Sequence, residues 1–193
     1  MTTYRRGQVD WALWTIKSRP KSSPAPAEFR TRIRRLLEID RAEPASKRSV
    51  PAYAFSDTAP GGKGEEAAFH PIDALMLWLG LDLLEMGFKQ QEVVRLLRVA
   101  RPVILKRYGR SLKRAYDDLA ANDLLIAPKV ESSEHAWAPD ERPFFALAEE
   151  IPDLVLEKHV HKAVMLAVGL SAFEIAETLP QAPMMRRGRP SAE

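Results

Sequence analysis

The chain has 193 residues, 46% of them hydrophobic, enough to bury a core in one domain or in a small domain with an appendage; without cysteine it has neither a disulfide framework nor thiolate chemistry. The opening MTTYRRGQVDWALW lacks the continuous apolar region of a signal peptide, and the most apolar stretch is too short for a bilayer, so a cytoplasmic protein with no membrane partner is expected. The net charge of +3 conceals segregation: twelve Lys and Arg against five Asp and Glu in residues 1–50, nine against one in 89–114, and four against thirteen in 115–183. Such blocks suggest a basic half that meets a polyanion and an acidic C-terminal half available to a protein partner; ordinary solvated charge blocks are the alternative.

In chain order, Gly7 to Lys17 reads as a short helix whose Val9, Leu13, Trp11 and Trp14 anchor it to a core. The string SRPKSSPAPA, Ser18 to Ala27, breaks the chain with three prolines. From Glu28 to Arg41, Phe29, Ile33, Leu36 and Leu37 fall on one helical face, with Thr31, Arg34, Arg35 and Glu38 opposite and Arg30, Arg41 and Arg32 on the flanks. Guanidinium forks at that spacing suit phosphate oxygens and the O6/N7 edge of guanine, the task of a recognition helix. The competing reading is a solvated face with intrahelical pairs such as Arg34 with Glu38.

Between residues 42 and 70, Tyr53 and Phe55 alternate with small residues and Ala67 to Phe69 matches a facing strand, with Pro60 to Gly64 as the turn and Lys63 at its tip, the pattern of a wing. The GGKG there lacks the spacing and hydroxyl residue of a nucleotide-binding loop. Asp73 to Met86 is apolar on nearly every face and predicts a buried helix, stopped by Gly87; Phe88, Val93, Val94, Leu96 and Leu97 then return to one-sided spacing.

The run Phe69, Asp73, Leu75, Gly87, Phe88, Glu92, Val93, Leu96 and Leu97 resembles the MerR-type winged-helix DNA-binding domain. Gly7-Gln8-Val9 is similar to the start of that family's first helix, and Arg34 to Glu38 stands where its second lies. Leu36 and Leu37 replace the family's aromatic pair, and Ala67 its wing arginine. The resemblance implies a winged helix-turn-helix fold over roughly the first half of the chain, double-stranded DNA as partner, and a homodimer.

Pro102 is placed to open another helix, to about Ala121, on which Leu105, Tyr108, Leu112 and Tyr116 form a stripe. In the resembled family a helix at this place pairs with its twin; packing on the same chain's acidic half is the alternative. Beyond Asn122 the pattern becomes α+β, with strands at Leu124 to Ile126, Pro143 to Leu147 and Ala163 to Val168 and a helix over Ser171 to Leu179. His159 and His161 would share one side of a strand, a possible half-site for metal, but surface histidines are the simpler reading, and no metal or cofactor is expected. No nucleophile, base and oxyanion set emerges, so no enzyme is expected. Arg186-Arg187-Gly188-Arg189-Pro190 resembles an AT-hook core, whose arginines enter a narrow A·T-rich minor groove; a chance string on a solvated tail is the alternative.

These readings predict a mainly α fold with small β elements. A MerR-like winged-helix domain occupies 1–100, a linking or dimerisation helix 101–121, a small α+β oligomerisation or effector region 122–183, and a basic disordered tail 184–193. The expected function is that of a dimeric, nucleoid-associated transcriptional regulator. Arg30, Thr31, Arg32, Arg34, Arg35, Arg41, Lys63, Arg186, Arg187 and Arg189 would touch DNA. The alternatives are a DNA-architectural protein and a winged-helix adaptor that binds protein instead of DNA.

Overall fold

A computed structural model describes residues 2–18, 24–42, 53–57, 67–117, 123–128, 144–147 and 163–183. They are mainly helical. In chain order they form β1 (Tyr4–Arg5), α1 (Arg6–Ser18), α2 (Ala27–Ala42), β2 (Ala68–Phe69), α3 (Pro71–Glu85), α4 (Gln90–Asp117), β3 (Asp123–Pro128), β4 (Phe144–Leu147), β5 (Ala163–Ala167) and α5 (Val168–Thr178), which a single 3-10 turn, Leu179–Gln181, extends.

α3 is the centre of the molecule because its sequence leaves it little wet surface: Ile72, Leu75, Met76, Leu79 and Leu83 are all buried, and of its fifteen residues only Glu85 is exposed. Its N-terminus is tied by Asp73, whose Oδ2 accepts the His70 amide at 2.8 Å and so satisfies one orphan donor of the first turn. Its C-terminus ends as the sequence predicts. Gly87 takes φ +88, a conformation that costs a side chain dearly, and the Gly87 and Phe88 amides close back on the Leu84 and Leu83 carbonyls at 3.1 Å. The chain then turns into α4, where Glu92 receives the Lys89 amide at 2.9 Å.

The remaining helices pack around α3. At Gly80 a Cβ would stand 3.2 Å from Leu36 of α2, 3.3 Å from Leu97 of α4 and 3.5 Å from Phe55, so three segments converge on the one spot where α3 has no side chain. α5 packs against α1, α3 and α4, and its Val168, Ala172 and Ile175 join the same core cluster as Val9 and Leu13. The core is therefore continuous from α1 to α5, and the boundary expected after residue 100 falls inside α4.

Three expectations change. Pro102 does not open a helix; it lies inside α4, which runs unbroken over 28 residues. An internal proline costs about 3 kcal/mol through a lost hydrogen bond and a clash one turn back. Here Pro102 is exposed, while Leu97, Ala100, Arg101 and Ile104 around it are buried, so the packed side of the helix carries it through. Secondly, β2 is present, but its partner is β1, with Tyr4 opposite Phe69 and Arg5 opposite Ala68; Tyr53 to Asp57 is not a strand, and so does not form the facing strand of the expected wing. Thirdly, the last helix begins at Val168 instead of Ser171, and the preceding strand ends at Ala167.

The expected strands β3, β4 and β5 form an antiparallel sheet in the order β4-β3-β5, with Leu125 opposite both Phe145 and Leu166. Asp123 at the head of β3 is buried. It accepts from the Ser111 hydroxyl and, at 2.7 Å, from Arg114 Nη1, which fastens the sheet to the C-terminal turns of α4.

Candidate nucleic-acid interface

α2 divides into two faces as its periodicity predicts. Phe29, Ile33 and Leu36 are buried and Leu37 is half-buried; Arg30, Arg32, Arg34, Arg35 and Arg41 are exposed, and Thr31 is half-buried. The sequence thus places five guanidinium groups on the outside of one helix. Two weak tethers act on this face. Arg34 lies 3.7 Å from Glu38 with both side chains in solvent, and Arg32 lies 3.9 Å from Glu85, whose closer partner is Lys17 at 2.5 Å. Exposed pairs of this kind contribute about 0–1 kcal/mol and leave the arginines able to exchange partners.

What distinguishes α2 from an ordinary solvated helix is how firmly both its ends are held. At the N-terminal end, Phe29 packs on Trp14 of α1 with ring centroids 5.3 Å apart, and Arg6 of α1 donates to the Arg30 carbonyl at 3.4 Å. Arg6 also reaches Asp10 at 2.6 Å; burial pushes the Asp10 carboxyl above its usual range, and Arg6 and Arg30 pull it part of the way back. At the C-terminal end, Asp40 points inward. Its Oδ1 receives Arg98 Nε at 2.8 Å, and its Oδ2 receives the Ala54 and Phe55 amides at 2.8 and 3.3 Å.

A second buried arginine completes this corner. Arg101, 1% exposed, donates from Nη2 to Asp73 at 2.6 Å and to Asp57 at 2.8 Å, and from Nη1 to the Ala54 carbonyl at 3.1 Å. Burial raises the Asp73 pKa, with the His70 amide and Arg101 opposing that shift. Asp40, Arg98, Asp73 and Arg101 thus clamp residues 54 to 57 against α2, α3 and α4. None of the four was expected in this role, yet two lie on an apolar stripe: Asp40 continues the Phe29, Ile33, Leu36 face, and Arg101 continues Val94 and Leu97. A charge on an apolar stripe announces a buried partner.

The other expected site residues are distributed as follows. Lys63, Arg186, Arg187 and Arg189 lie outside the described residues, as do His159 and His161. On α4, Tyr108 and Leu112 are half-buried against the core of their own chain, and burial pushes the Tyr108 hydroxyl up to about 12. Tyr116 meets Phe173 of α5 edge-on at 4.8 Å and donates to Glu177, while Leu105 is 43% exposed. Much of the stripe therefore packs on α5 and the core of its own chain. Among the described residues no three His, Asp or Glu side chains gather as a metal site, and no helix is long and apolar enough to cross a membrane.

No protein-family profile matches the chain, and no curated protein matches its sequence.

Proposed function

We propose that the chain is a sequence-specific DNA-binding regulator of a MerR-like helix-turn-helix type that reads the major groove with α2 and acts as a homodimer. One observation carries the reading: an arginine-rich face, exposed along a 16-residue helix whose opposite face and both ends are fixed by buried contacts. Base readout requires side chains delivered from a rigid scaffold, because a bidentate arginine discriminates only when its fork meets the guanine edge in one orientation. α1 supports α2 as the first helix of a helix-turn-helix supports the second. The α3, Gly87 and α4 corner supplies the rest of the resemblance.

Selection of bound sequences from a random duplex pool tests this directly. Enrichment of a defined motif, with two half-sites if the protein acts as a dimer, is the expected result. A pool that stays random over successive rounds, with the protein folded, would overturn it.

A further inference from the structure

The outer face of α4 carries a second positive surface that the reading of α2 does not use. Lys106, Arg110 and Lys113 are exposed and lie within about 60° of one another around the helix at 100° per residue. They span about 10 Å along its axis at 1.5 Å per residue. Among the described residues none of the three has an ion-pair partner. Between Glu92 and Asp117 the helix contains no acidic residue at all. Helix faces that are merely solvated gain from opposite charges three and four residues apart, as that of α2 does with Arg34 and Glu38; α4 instead sets Lys106 against Arg110 and Arg110 against Lys113, which weakens the isolated helix.

Gly109 adds an independent observation. It sits exposed at the edge of this face, about 40° around the helix from Lys113 and about 60° from Lys106 at 100° per residue, with no left-handed φ to require a glycine, and a Cβ there would meet nothing within 4 Å. Glycine is among the poorest helix formers, so neither backbone geometry nor packing in this chain accounts for it. Its effect is to leave the helix backbone bare beside the cationic arms, a flat place that a sugar-phosphate strand can approach closely.

We propose that Lys106, Gly109, Arg110 and Lys113 form a second nucleic-acid contact that grips the phosphodiester backbone without reading bases, and that therefore sets affinity and salt dependence but not sequence preference. This rests on the reading of the protein as a DNA binder. Charge selects the partner: duplex DNA carries one negative charge per about 1.7 Å, dense enough to engage all three cations at once.

Fluorescence anisotropy of the full chain with a labelled duplex, over a salt series, tests it with the variants Lys106→Gln/Arg110→Gln/Lys113→Gln and Gly109→Leu. The triple variant is expected to melt like the wild type, to bind more weakly, and to show a log K against log salt slope shallower by about 2 to 3, with its preference between two sequences unchanged. Gly109→Leu is expected to raise the melting temperature and still weaken binding. If the wild type binds duplex and the triple variant keeps its affinity and slope, this surface is not a DNA contact, whereas a wild type that binds no duplex removes the DNA reading as a whole. Equal binding of poly-glutamate and duplex by the wild type, lost together in the triple variant, would make the partner an acidic polypeptide and overturn the proposal. Unchanged binding by Gly109→Leu would overturn the close approach at that residue.

Discussion

Arg98 and Asp40, 58 positions apart, are joined twice: Nε donates to the Asp40 carboxylate at 2.8 Å and Nη2 to the Asp40 carbonyl at 2.8 Å, with both side chains nearly inaccessible to water. The contact fixes the last turn of α2 to α4. It also leaves the second carboxylate oxygen free to accept two amides from residues 54 and 55, so one buried aspartate orders three segments.

Breaking the pair from one side strands a buried charge. Arg98→Leu is expected to destabilise the fold by about 3–5 kcal/mol, measured by chemical denaturation. Adding Asp40→Asn should recover part of that loss, because the amide oxygen still accepts the Ala54 amide while the unpaired charge is gone. A double variant no more stable than Arg98→Leu alone would show that the guanidinium acts through packing instead of charge.

Stability should also depend on pH through Asp82. Burial first, with Glu85 and Glu174 adding to it and Lys17 opposing, raises its pKa from 3.8 to about 6. Because the folded state holds the proton more tightly than the unfolded chain, this contribution to stability is fully present below about 3.8 and is lost as the pH rises through about 6. Asp82→Asn, which cannot ionise, should therefore gain on the wild type as the pH rises from 4 to 7. Two pH units correspond to roughly 3 kcal/mol, and since Asp82 is only half-buried, solvent screening reduces the expected gain to about 1 kcal/mol. Equal stability differences at both ends of that range would contradict the shift.

Local chemistry made some of this structure legible in the sequence. Gly87 stops α3 because only its own backbone freedom is involved, and the two faces of α2 follow from a period that needs no knowledge of the partner. The strands after residue 122 announced themselves by short apolar runs. What stayed hidden was decided by distant contacts. Pro102 reads locally as a helix start, yet buried neighbours on the far side of α4 carry the helix across it. Ala68–Phe69 reads as half of a hairpin with Tyr53 and Phe55, yet it pairs with Tyr4–Arg5 more than sixty positions earlier. The recognition-helix face was visible, while the Asp40, Arg98 and Arg101 clamp behind it was not, because each charge had to be matched with a partner far along the chain.

The proposed dimer is best tested at Leu105. Leu112 is half-buried in its own chain, so an aspartate there would perturb the fold as well as any interface. Leu105, at 43% exposure, has little to lose within the monomer. Light scattering at tens of micromolar should show a dimer for the wild type and a monomer for Leu105→Asp, with unchanged melting of the monomeric unit. A wild type that is monomeric both free and on DNA would remove the dimer.

Arg34 and Arg35 give the sharpest test of the α2 interface. Both are exposed, and of the two only Arg34 faces a carboxylate on its own helix, Glu38 at 3.7 Å, too loose to matter for stability. Replacing both with alanine should therefore leave the helical circular dichroism signal and the melting temperature almost unchanged. If each reads a base, the selected DNA site should lose about 1–3 kcal/mol of binding per arginine, while nonspecific duplex, held by phosphate contacts elsewhere, should lose much less. The ratio between the two losses is the decisive quantity. A folded double variant that binds both duplexes as the wild type does would show that α2 presents its arginines to solvent and nothing more, and equal losses on both would reduce α2 to a phosphate contact without sequence readout.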